Sequence, residues 1–187
     1  MTHDLILISP NSLDIEIDLR YGSENNFTGK QVYKNSKFYL HKEALEKFKK
    51  SIAIASKLGF RFKIFDAYRP TEAQQILWDH TPDPEFLAPP EKGSAHSRGV
   101  ALDLTLIDKN GTQLDMGTEF DAFTPLSFHG VVEGISLEAQ KNRLILLGIM
   151  SASGWDFYKN EWWHYQLFNA RATYKLISDS EHKLGMM

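Results

Sequence analysis

Two histidines, an aspartate and a glutamate are the residues of this chain whose types and spacing could do hydrolytic chemistry. His96 and Asp103 stand seven positions apart in Ser94-Ala95-His96-Ser97-Arg98-Gly99-Val100-Ala101-Leu102-Asp103, and Glu161 precedes His164 by three in Glu161-Trp162-Trp163-His164. Catalytic zinc takes three protein ligands and keeps one position for water. His96, Asp103 and His164 would supply two imidazoles and a carboxylate, a set suited to one zinc per chain and to lowering the pKa of its water toward neutrality. Glu161 would then take the water's proton. Each residue alone has a plainer reading: a histidine more often hydrogen-bonds structurally, Asp103 could be a turn or ladder residue, and Glu161 a solvated charge. The other histidines, His3, His41, His80, His129 and His182, have no partner at useful spacing.

These residues need elements to position them. The apolar run after Gly99 reads as a strand over about 100–107, turning at Asp108-Lys109-Asn110-Gly111 into an antiparallel partner over 112–116. Residues 161–167 are aromatic-rich and strand-like. In a regular strand Glu161 and His164 would face opposite ways, so the reading requires Glu161 on the loop entering the strand, or a bulge at Trp162. Leu45, Phe48, Ile52, Ala55 and Leu58 recur at helical steps over 41–58, with Gly59 as a left-handed cap. Phe60, Phe62 and Ile64 alternate as a strand ending near Asp66. Tyr68-Arg69-Pro70 follows, and Thr71 with Gln74 forms a capping-box pattern for a helix to about His80. Arg69 therefore sits at a strand-to-helix junction, from which a guanidinium can project into a cleft.

Elsewhere, residues 5–18 alternate as an edge strand or extended arm around Pro10, and 19–37 form an ordered loop whose aromatics read as packing anchors. Four prolines make 81–93 a surface loop. Residues 116–134 form a long loop carrying Asp121, a helix starts at Ser136, and 168–187 read as a short helical or frayed terminus.

The 187 residues, 42% hydrophobic and 24% charged, are expected to form one domain over 1–187. A net charge of −3 provides no basic surplus for nucleic acid. There is no cysteine, so any metal must be held by His, Asp or Glu. No apolar run reaches membrane-spanning length and no secretion signal opens the chain, so a cytoplasmic protein without membrane attachment is expected.

Taken together, Asn26-Phe27-Thr28-Gly29, Tyr68-Arg69-Pro70, Ser94-x-His96-x-x-Gly99-x-Ala101-x-Asp103, Met116-Gly117, Phe120-Asp121 and Glu161-Trp162-Trp163-His164-Tyr165 resemble, in order, the zinc D-alanyl-D-alanine dipeptidases of the vancomycin-resistance type. The wider group includes lysostaphin-type and hedgehog-like folds. The resemblance implies an α+β fold with a small, mainly antiparallel sheet flanked by helices. It implies zinc at His96, Asp103 and His164, Glu161 as catalytic base and acid, and Arg69 steadying the oxyanion. It further implies Asp121 and Tyr21 near the substrate amine, with Ser94 a donor to the substrate carboxylate. The expected substrate is a small D,D-dipeptide. Ala95 departs from the small hydroxyl residue of the resistance enzymes, and the loop over 81–93 is shorter. A carboxypeptidase or endopeptidase of the same fold, and a non-catalytic zinc-scaffold binding module, are the alternatives.

Overall fold

All seven residues of the strand carrying Asp103, β5 (Ala101–Ile107), are buried, and the rest of the fold is arranged to bury them. In the computed structural model, which describes residues 4–9 and 11–187, β5 lies at the centre of a five-stranded sheet of order β2-β4-β5-β7-β6. The strands are β2 (Ile15–Ile17), β4 (Arg61–Asp66), β6 (Asp156–Phe157) and β7 (His164–Gln166). Only β2 with β4 is parallel; the other pairs are antiparallel. Leu102, Leu104 and Leu106 alternate toward a core that includes Phe48, Phe62, Leu146 and Met150, which sends Asp103 to the opposite face. Helices α1 (Lys42–Lys57) and α3 (Leu137–Ala152) pack on each other and on β4 and β5, giving the expected α+β architecture.

Local signals held where the pattern was long and periodic. His41 caps α1, its Nδ1 accepting from the Glu43 amide at 3.3 Å, and Gly59 closes that helix at φ +81. Ser136 caps α3 by accepting from the Ala139 amide. Helix α2 spans Thr71–His80.

Three readings change. The alternating segment over 5–18 is divided between two sheets: β1 (Leu5–Leu7) pairs with β3 (Tyr39–His41), and β2 joins β4. His3 and Pro10 lie outside the described residues. The return arm over 112–116 reduces to a single bridge, Ile107 with Gln113. Beyond it Asp115 leaves the ladder to accept from Gly117 N, the Ser136 hydroxyl and the Asn142 amide. The capping box at α2 does not form, because Gln74 is used elsewhere and Pro70 holds the cap position without a side-chain bond.

Of the two forms expected for the terminus, the short helical one is found, and it is packed. After α4 (Ala170–Thr173) and α5 (Asp179–His182), Leu184 and Met186 are buried. Glu72 anchors this segment, accepting from the Ser178 and Ser180 hydroxyls and the Asp179 and Ser180 amides at 2.7–3.0 Å. Burial opposes its ionisation, but those hydrogen bonds outweigh it and lower the carboxyl from 4.5 to about 2. The folded value is the lower one, so this stabilisation is complete above the unfolded value of 4.5 and fades as pH falls toward about 2. Glu72→Gln should therefore cost about 1 kcal/mol near neutrality. The difference between mutant and wild type in urea melts should vanish toward pH 2.

Candidate active site

Asp103 and His164 are directly opposed in the β5–β7 ladder, so their side chains share one face although they are far apart in sequence. His96 arrives from the 3-10 turn His96–Arg98, which Gly99 terminates at φ +70. A Cβ at Gly99 would lie 2.2 Å from Leu5 Cδ2 and 3.2 Å from the His41 backbone nitrogen. Only glycine allows both the left-handed turn and this close approach.

The three donor atoms form a near-equilateral triangle. His96 Nε2 is 3.2 Å from Asp103 Oδ1 and 3.1 Å from His164 Nδ1, and His164 Nδ1 is 3.1 Å from Asp103 Oδ1. A tetrahedral ion with ligands at about 2.0–2.2 Å spaces them roughly 3.3–3.6 Å apart, slightly wider than this triangle. The outer ring nitrogens fix which lone pairs point inward. His96 Nδ1 lies 2.6 Å from the Ala67 carbonyl oxygen, which can only accept, so Nδ1 carries the proton and Nε2 is free to ligate. His164 Nε2 lies 3.1 Å from Gln166 Oε1 and leaves Nδ1 free in the same way. Burial opposes a charge on Asp103, yet the two imidazoles hold its carboxyl well below the ordinary range. Three buried donors aimed at one point fit a divalent metal, and among the described residues no other trio of His, Asp or Glu gathers this closely.

Glu161 lies in the turn entering β7, where its amide donates to Tyr158 O and its carbonyl accepts from His164 N. The first of the two required geometries is met without a bulge. Ser127 O, accepting from Trp162 N at 3.0 Å, and Thr118 Oγ1, accepting from Trp162 Nε1 at 2.8 Å, tie the turn to the long loop. Glu161 Oε2 is 3.8 Å from His164 Nδ1. Burial, with Asp103 and Asp121 nearby, pushes its carboxyl well above the ordinary range despite Arg69. The carboxyl can therefore hold a proton as well as take one.

Arg69 reaches the same cavity but is braced from behind. Its Nε donates to Asp66 Oδ2 at 2.8 Å, Nη1 to Gln74 Oε1 at 2.9 Å and Nη2 to Asp103 Oδ2 at 3.4 Å, with its guanidinium 5.0 Å from the Tyr21 ring centroid. Three of the five N–H groups are used, leaving one on each terminal nitrogen for another acceptor. Asp66 faces Asp103 because the β4–β5 register slips between Ile64 and Asp66; Tyr33 OH also donates to Asp66, at 2.8 Å.

Tyr21 OH donates to Asp121 Oδ2 at 2.8 Å, and Asp121 occupies the left-handed region at φ +59. Burial and the Asp103 charge raise its carboxyl to about 8. Tyr21 and Asp121 both line the cleft, whereas Phe27 lies behind them against Phe123, with ring centroids 4.9 Å apart. Ser94 also lines it, its Oγ accepting from the His96 amide at 3.2 Å. The cleft is about 630 Å³ and takes part of its wall from Pro84, Phe86 and Pro89 of the proline-rich loop.

Asp66, Gln74, Tyr33 and Gln166 were not among the expected site residues. Gln166 had a readable signal: two positions after His164, a strand puts it on the same face. Gln74 was hidden by its place in a capping pattern, yet its amide bridges Arg69 to the Ala88 carbonyl, donating to the latter at 2.8 Å.

The family model described as "D-ala-D-ala dipeptidase" matches residues 1–182. D-alanyl-D-alanine dipeptidase of Escherichia coli is 44% identical over 94% of this chain and 89% of its own length. The Enterococcus faecium protein of the same name is 34% identical over 80% of this chain and 84% of its own. A solved structure titled "VanYB in complex with D-Alanine-D-Alanine" aligns with 72% of this chain and 74% of its own at 16% identity, with a TM-score of 0.46.

Proposed function

The chain belongs to the D-ala-D-ala dipeptidase family, and on that premise we propose that it hydrolyses free D-alanyl-D-alanine to two D-alanines, with zinc held by His96, Asp103 and His164. The observation that carries this reading is the convergence of three metal donors, a buried carboxyl and a braced guanidinium on one cleft. An ion at the triad supplies Lewis acidity, making a water acidic enough to lose its proton near neutrality and polarising the scissile carbonyl.

The protein's own groups supply the rest. Glu161 takes the proton of the attacking water on its carboxylate and returns it to the leaving amine, a role suited by its enclosed position. Arg69 donates from its terminal nitrogens to the oxygen on which charge develops, and the bonds to Asp66 and Gln74 fix its direction beforehand. Asp121, held by Tyr21, faces the substrate ammonium; an ammonium there favours the ionised carboxylate against the burial that raises its pKa. Ser94, whose oxygen already accepts from His96 N, turns its O–H toward the substrate carboxylate. In this reading residues 1–187 act as one domain, in the cytoplasm, on dipeptide derived from cell-wall peptidoglycan; among the described residues no helix is long and apolar enough to cross a membrane.

A panel of L,L-, L,D- and D,D-dipeptides, with N-acetyl-D-alanyl-D-alanine beside the free dipeptide, tests this. The free D,D-dipeptide should be cleaved, and acetylation should lower kcat/KM by about 10²-fold or more, because it leaves Asp121 without its counter-charge. Equal cleavage of the acetylated compound would instead favour a carboxypeptidase.

A further inference from the structure

The cleft has a charged end that the dipeptide reading does not use. Its lining carboxylates are Asp103, Asp121 and Glu161, which the proposed function uses at the triad, at the amine pocket and as the acid–base group. From His164 outward along β7 and into α4 the lining changes to donors: Gln166, Asn169 and Arg171, with Lys92 also on the wall. Gln166 Oε1 is engaged by His164, which leaves its amide N–H groups for the cavity. Asn169, Arg171 and Lys92 are exposed, and neither cation has an ion-pair partner among the described residues. Asp83, Glu85 and Glu91 belong to the adjoining loop, but none of them lines the cleft.

A third cation braces this end. Arg98, only 7% exposed, donates from Nη2 to the Lys92 carbonyl at 3.3 Å and from Nη1 to the Tyr174 carbonyl, and so ties together the two segments that carry Lys92 and Arg171. Its Nε is buried without an acceptor. Lys92 and Arg171 line the cleft with no carboxylate bound to either among the described residues, so an anion entering this end would meet two unneutralised cations.

We infer that Lys92 and Arg171, with the Asn169 amide, form an outer subsite for a second carboxylate, carried on the side chain of the substrate's C-terminal residue. This rests on the dipeptidase reading, which sets the amine at Asp121 and the C-terminal residue toward Ser94, on the chain segment that leads back to Lys92. The substrate class is D-alanyl dipeptides ending in an acidic D-residue. A cleft of about 630 Å³ lies in the range that accepts ligands considerably larger than two alanines.

The test compares kcat/KM for D-alanyl-D-glutamate with its neutral isostere D-alanyl-D-glutamine, using D-alanyl-D-alanine as reference. The metal-loaded wild type should favour glutamate over glutamine about tenfold at low salt, and less as salt is added. In Lys92→Gln/Arg171→Gln the ratio should fall to near one, and Arg171→Glu should shift preference toward D-alanyl-D-lysine. Both positions are exposed, and circular dichroism verifies that the variants fold. If D-alanyl-D-alanine is cleaved but the wild-type ratio is near one, or survives the double substitution, the subsite is wrong and the dipeptidase reading stands. If none of the dipeptides is cleaved, both fall.

Discussion

Glu161→Gln is expected to bind its metal as the wild type does and to lose about 10²–10⁴ in kcat, the usual contribution of a positioned acid–base group. Glutamine preserves shape and an acceptor oxygen but can neither take the water's proton nor deliver one to the leaving amine. The side chain contributes no atom to the metal triangle, its Oε2 lying 3.8 Å from His164 Nδ1. Its turn is held by backbone and Trp162 contacts that the substitution leaves alone. Metal content should therefore stay at the wild-type level while KM changes little. Near-normal turnover would remove Glu161 from the reaction, and loss of metal would show that the side chain supports the ligands instead.

Arg69→Ala should lower kcat by about 10²–10³, the cost of one preorganised donor to a developing oxyanion. It should also destabilise the fold by about 3–5 kcal/mol, because Asp66 becomes a fully buried carboxylate without its cation. The two losses can be separated. Arg69→Ala/Asp66→Asn removes the stranded charge and should recover much of the denaturant midpoint while kcat stays low. If kcat recovers along with stability, Arg69 acts only as a structural partner of Asp66. Arg69→Lys is not a rescue, since an ammonium cannot bond Asp66, Gln74 and a substrate oxygen in the fixed fork that guanidinium provides.

Helix α1 and strand β4 were readable because their signals are local: apolar residues at steps of three and four, then of two, with Gly59 between them. The residue types of the candidate donor cluster were readable too, since His96, Asp103 and His164 carry metal-binding side chains and the family motifs surround them. What brings them together is not local. Asp103 meets His164 through the β5–β7 register, and Asp66 turns to brace Arg69 through a register slip, both products of the whole sheet's packing. The return arm after Gly111 failed for a related reason: turn residues specify the reversal, but the Asp115 bonds to Ser136 and Asn142 decide how far pairing runs. Gln74 shows a motif competing with a site, because an apparent helix cap was instead bracing the Arg69 guanidinium.

The most direct test of the central claim is elemental analysis of the dialysed protein beside His96→Ala and Asp103→Ala. The account predicts one equivalent of zinc in the wild type and loss of most of it in both variants, since each removes one vertex of the donor triangle. Stoichiometric zinc retained in both variants would mean that the metal is held elsewhere.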